Sequence, residues 1–243
     1  MGGSVQAIGW QGLVLASLPT IVVIIIMWRW AAGSGTAVYA NVRMLVQLLL
    51  IGYVLVYVFE SGQPSIVLAV LAVMIIAASW IAIRPLADRS RRVWWHALVA
   101  IAASGVAVLA LVSQAVIGID PWFSPRYLIP LAGMIFSGAM NTVSLAGERA
   151  YAESRRGMSF IEARRIAMQA ALIPMINTLF AVGLVALPGM MTGQILSGVS
   201  PIVAAKYQIV VMLMLFGVTG LSAAIFLTLE RGQLESMATE AKD

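Results

Sequence analysis

Residues Leu187–Gln208 read LPGMMTGQILSGVSPIVAAKYQ, and how this stretch folds decides how often the chain crosses a bilayer. It lies within a run that carries no charged residue from Ile166 to Ala205. An unbroken helix over that run would reach about 60 Å, whereas the hydrocarbon core of a bilayer is about 30 Å thick. The run therefore has to turn back. Pro188-Gly189 stops a helix on one side, and Ser197-Gly198 with Ser200-Pro201 stops it on the other. Between the stops, Gly189, Gly193 and Ser197 recur at every fourth position, one row of small residues on a helix face. In a membrane such a row lets backbones approach closely, and the plain reading is a packing seam.

Outside this stretch the chain is equally apolar. Of its 243 residues 61 % are hydrophobic and 10 % charged, with a mean hydropathy of +0.97. A soluble domain carries about 25 % charged residues, so an all-α integral membrane protein is expected, as one transmembrane domain over residues 1–243. Cysteine is absent and His96 is the single histidine, which excludes disulfides, thiolate metal ligands and histidine clusters. The net charge of +5 follows from loop arginines and does not call for nucleic acid.

Seven spans are expected: Ala7–Trp28, Met44–Phe59, Ser65–Ile83, Val93–Ile119, Tyr127–Gly147, Ile166–Leu187 and Tyr207–Leu229, with the broken segment re-entrant before the last. No Lys or Arg precedes the first span, so it reads as a retained helix rather than a signal peptide. All fifteen basic residues except Arg126 and Lys206 fall in loops one, three and five or in the polar tail over residues 230–243, Lys242 included. That asymmetry puts the N-terminus outside and the C-terminus in the cytosol of a cell that keeps this protein in its inner or plasma membrane. Tryptophans 28, 30, 94, 95 and 122 mark span ends, as interfacial residues do.

No phosphate loop, nucleophile elbow, HExxH or paired intramembrane carboxylate is present, so ATP hydrolysis by a phosphate loop is excluded and an enzyme is not expected. Polar groups within the spans are amides and hydroxyls: Gln47, Asn141, Thr142, Ser144, Asn177, Thr178 and Gln194. They fit a solute path and fit interhelical hydrogen bonds equally well. Arg43 shares a helix face with Gln47 and reads by itself as a snorkelling anchor. Glu60 and Asp120 are the acidic residues of the outer face; they read as solvated helix ends, with an oxygen-ligated metal exit site as the sharper alternative. Met190 and Met191 fit packing better than a soft-metal site. The charged segment Glu148–Arg165 is helix-compatible, and touching an ATPase or an anionic lipid surface would call on the same arginines.

Three blocks carry a resemblance. Ala170–Leu215, AALIPMINTLFAVGLVALPGMMTGQILSGVSPIVAAKYQIVVMLML, with Val42–Ser61 and Tyr127–Ala146, resembles the FetB-type family of ABC permeases, which includes bacterial iron exporters and plant aluminium-tolerance permeases. The resemblance implies a permease paired with a separate ABC ATP-binding subunit, two copies of each, exporting iron or another metal ion. ATP then acts through the partner and no cofactor binds the chain itself. A sugar nucleotide or other small solute is the alternative cargo, and an ATP-independent facilitator the alternative mechanism. Carried over by motif as path or pivot residues are Arg43, Gln47, Asn141, Pro188, Gly189, Met190, Met191, Gly193, Lys206, Tyr207 and Gln208; Gln194 joins them as a polar group of the broken segment. The family's EAxxxLGA coupling sequence falls on Glu148, with its Gly replaced by Glu153 and Gly157 available instead. Glu148, Glu153, Arg155, Arg156, Gly157 and Glu162 are the coupling candidates over residues 148–165.

Overall fold

A computed structural model describes residues 9–241; the expected start of the first span at Ala7 and the charge of Lys242 lie outside them. Every regular element among the described residues is helical. The helices form two compact units, residues 1–61 and 62–243.

The first unit is a helical hairpin of α1 (Trp10–Arg29) and α2 (Ser34–Ser61). Helix α2 begins ten residues before the expected Met44. Ser34-Gly35-Thr36 thus forms the first turn of the helix.

In the second unit α3 (Pro64–Ala82) leads to α4 (Arg91–Ala110), which continues as a wider π-helical turn, Leu111–Ile117. Next come α5 (Pro125–Ser154), α6 (Phe160–Ala181), the short α7 (Gly189–Leu196), α8 (Pro201–Leu229) and α9 (Arg231–Glu240). Serines 90, 159 and 200 precede α4, α6 and α8, and each hydroxyl accepts from the backbone N–H three residues on, satisfying a donor that the helix start leaves open. Helix α5 is the central pillar, packed on α3, α4, α6, α8 and α9. Its inward face alternates large and small side chains, with Ile135, Phe136, Ala139, Val143, Ala146 and Ala150 all buried. At Gly105 of α4 a Cβ would lie 2.6 Å from Phe136 Cε1, so α4 and α5 meet at a distance only glycine allows.

Six described helices are long and apolar enough to cross a membrane: α1, α2, α3, α4 with its π turn, α5 and α8. The expected sixth span, Ile166–Leu187, is the exception. Helix α6 starts earlier, at Phe160, so its first turns carry Glu162, Arg164 and Arg165. It stops at Ala181, where the Gly183 N–H closes a turn onto the Ala186 carbonyl at 3.0 Å. The stop comes before Pro188 because this turn, not the proline, ends the helix.

Residues 148–165 comprise the end of α5, which runs on to Ser154, a tight turn, and the start of α6 at Phe160. The polar tail is a docked helix, α9, whose Leu234 and Ala238 are buried against the bundle. The broken segment matches its expected bounds, with Pro188 as the N-cap of α7 and Ser197 as its C-cap.

Candidate functional site

One end of the second unit gathers the start of α4, the end of α5, the start of α6 and the α8–α9 junction, and with them most of its arginines. Glu230, between α8 and α9, is 1 % exposed there. One of its oxygens lies 2.6 Å from His96 Nδ1 of α4, and the other accepts the Tyr151 hydroxyl of α5 at 2.6 Å. Arg92, one turn before His96, donates to Gln233 Oε1 of α9 at 2.5 Å. A buried carboxylate is tolerated only when paired and hydrogen-bonded. Glu230 meets that condition by tying three helices together.

The turn from α5 to α6 is braced in the same way. Glu153 is buried and accepts Arg149 at 2.7 Å and Arg156 at 3.2 Å. Gly157 takes φ +78°, a left-handed conformation that side chains disfavour. Ser159 and Glu162 form a reciprocal cap, the Ser159 hydroxyl accepting from the Glu162 N–H and donating to its carboxylate. Of the coupling candidates, Glu148, Arg155, Arg156 and Glu162 are exposed, Gly157 is partly so, and Glu153 holds the turn from inside.

At the other end lie the short helix α7 and its neighbours. Helix α7 packs on α8. A crevice of about 340 Å³ opens between the end of α6, Met191 of α7 and Gln208 of α8, with Leu179, Gly183 and Met212 on its walls. The Gln208 side chain is buried, and its carbonyl oxygen has no hydrogen-bond partner among the described residues; nor has that of Gln194. Buried acceptors without a donor are costly, and two of them within α7 and the first turns of α8 mark this corner as a polar site in an apolar setting. Lys206 and Tyr207 are exposed beside a smaller crevice of about 200 Å³ that reaches Val116 and Ile117 of the π turn. Single π-helical turns recur at functional sites.

The structure therefore brings Met191 and Gln208 together and leaves other candidates apart. Asn141 is exposed on α5 and Asn177 on α6. Thr142 and Ser144, in contrast, are absorbed by packing, donating to Gly138 and Ala82 carbonyls at 2.9 and 2.7 Å. Arg43 and Gln47 sit one turn apart on α2 of the first unit, Gln47 exposed. Pro188 opens α7, Met190 is half-buried, and a Cβ at Gly189 or Gly193 would meet nothing within 4 Å. Among the described residues of the second unit, Gly189 and Gly193 of the small-residue row hence pack against no other helix. Glu60 and Asp120 are exposed on separate units, and no group of three or more His, Asp or Glu suited to a metal ion occurs among the described residues.

The tie at Glu230 escaped the sequence reading. Its only traces there were a carboxylate directly after an apolar span and the single histidine, the sixth residue of α4, and nothing in their spacing joins positions so far apart.

No solved structure matches this chain. Among curated proteins, a membrane protein of Synechocystis, slr1647, is 36 % identical over 86 % of this chain and 85 % of its own length. The Escherichia coli protein named "Probable iron export permease protein FetB" is 32 % identical over 88 % of each chain, and the rice membrane protein STAR2 is 32 % identical over 79 % of this chain and 71 % of its own length. The model of the family described as uncharacterised protein family UPF0014 matches residues 10–234, and with these relatives and six bilayer-length helices the chain is a multi-pass membrane protein that belongs to that family.

Proposed function

We propose that this protein is the permease subunit of an ATP-driven exporter whose cargo is iron or another metal ion. A separate ABC ATP-binding subunit would dock on the arginine-rich end, taken as cytosolic, and the permease would work as a pair. The observation that carries this reading is the braced turn between α5 and α6. It is short, presents Glu148, Arg155, Arg156 and Glu162 to solvent, and is held rigid by Glu153 and the Ser159 cap. A push on such a turn moves the central helix α5 and α6 together, because neither end can give. The iron export named for the Escherichia coli relative supports the cargo. Motion would reach α7, the re-entrant helix, through α6 and the turn that follows it. There the Met191–Gln208 crevice offers thioether and amide contacts to a passing solute.

Reconstitution tests the reading. Proteoliposomes holding the permease with the ATP-binding subunit from the same cells should move ferrous iron only when ATP is supplied on the side of the arginine-rich end. Equal iron flux without ATP would replace the pump with a facilitator. ATP-dependent movement of a nucleotide sugar but not of iron would replace the cargo.

A further inference from the structure

Two grooves at the arginine-rich end share Ile161 and Arg164 and make one trough across the α6–α8–α9 junction. The outer chamber, about 490 Å³, is bounded by Ser159, Phe160, Arg231, Glu235 and Thr239. The inner chamber, also about 490 Å³, runs between Met168 of α6 and Ala224 and Leu227 of α8, with Arg165 and Gln169 on its rim. Helix α8, a bilayer-length apolar helix, ends at Leu229, and α9 begins at Arg231. The outer chamber thus lies just beyond the end of a span, while the inner one lies within that span's last two turns.

We propose that this trough is a binding site for an anionic phospholipid, with the headgroup phosphate between Arg164 and Arg231 and an acyl chain along Met168, Ala224 and Leu227. Charge supports the headgroup end. Arg164, Arg165 and Arg231 line the trough with one carboxylate, Glu235, which takes Arg231 Nε at 2.8 Å; Arg164 and Arg165 form no ion pair among the described residues. Geometry supports it as well. The guanidinium carbons of Arg164 and Arg231 lie 5.3 and 5.5 Å from the centre of the same buried Phe160 ring. Both cations are therefore held in place before a ligand arrives, which lowers the ordering cost of binding. Arginine suits a phosphate because its planar fork donates two parallel bonds.

The choice of a lipid over a soluble partner rests on the continuity of the trough. An acidic protein or free phosphate would be satisfied by the outer chamber alone. Only an amphiphile uses a cationic chamber past the end of a span together with an apolar one inside it, and basic pockets between transmembrane helices are recurrent headgroup sites. The proposal does not rest on the identity of the transported solute.

Delipidated protein in neutral detergent, titrated with dioleoylphosphatidylglycerol or dioleoylphosphatidylcholine and read by native mass spectrometry, tests it. Phosphatidylglycerol should bind in clear preference. Arg164→Gln and Arg231→Gln should each weaken its binding about fivefold, the scale of one arginine near an anionic lipid, with little change for phosphatidylcholine. Ala224→Trp fills the inner chamber without altering charge and should weaken both lipids; it also serves if the arginine variants misfold. Arg91→Gln, an exposed arginine of α4 outside the trough, should change nothing. Three results overturn the site: the same loss in Arg91→Gln, unchanged phosphatidylglycerol binding in the trough variants, or displacement of the lipid by millimolar inorganic phosphate that Ala224→Trp does not affect. Loss of a co-purifying protein from Arg164→Gln with lipid binding intact would assign the trough to that protein and overturn it too.

Discussion

His96 Nδ1 lies 2.6 Å from Glu230 Oε1, joining the start of α4 to the α8–α9 junction across a chain separation of 134 residues. The Tyr151 hydroxyl donates to the other Glu230 oxygen, so these two groups are the side-chain hydrogen-bond partners of the buried carboxylate among the described residues. Removing either donor leaves it under-satisfied, so His96→Ala or Tyr151→Phe should each cost about 1.5–3 kcal/mol, the range for hydrogen bonds to charged groups. The two losses should be non-additive, since they share one carboxylate. Thermal unfolding in detergent of the single and double variants measures this, with the exposed Arg91→Ala as a reference that should barely move.

Glycines 105 and 193 are expected to respond oppositely to enlargement. A Cβ at Gly105 would meet the Phe136 ring at 2.6 Å and the Ile135 side chain at 3.3 Å, so Gly105→Val should lose about 1–3 kcal/mol or more through overpacking. At Gly193 a Cβ meets nothing within 4 Å, so Gly193→Leu should insert and fold as well as the parent chain. If the small-residue row works against a second copy or a moving helix, Gly193→Leu should still depress transport. Membrane yield and flux, measured together, separate these two outcomes.

Gln208 should show stability and function moving in opposite directions. Its carbonyl oxygen is buried without a donor, so Gln208→Leu removes an unsatisfied acceptor and should leave the protein as stable or up to about 2 kcal/mol more so. If the amide contacts solute in the Met191 crevice, the same variant should transport poorly. A variant that loses both stability and transport would make Gln208 a structural residue.

The α5–α6 turn should be sensitive at Gly157. Its φ of +78° costs a side chain about 1–2 kcal/mol, and Gly157→Val adds β-branching to the penalty. The variant should reach the membrane normally yet recover less ATP-binding subunit on co-purification. Glu153→Gln, which loosens Arg149 and Arg156 together, should act the same way, whereas Glu148→Gln, on the exposed face, should alter docking without loosening the turn.

Composition and local punctuation settled the membrane class, most of the spans and the place of the broken segment. These depend on backbone rules and hydropathy, which act on neighbours in the chain. Pro188 and Ser197 delimit α7 as their residue types require, and Ser90 and Ser200 cap helices for the same local reason. The end of α6 at Ala181, the reach of α5 to Ser154 and the docking of α9 were decided by contacts the sequence does not display. The charged stretch Glu148–Arg165 reads as helix-compatible, but where its turn falls depends on the partners of Glu153, and the docking of the polar tail depends on the surface that Leu234 meets. Glu230 is the clearest case. Its burial is affordable only because folding brings His96 and Tyr151 to it from two other helices, and that proximity exists only in three dimensions.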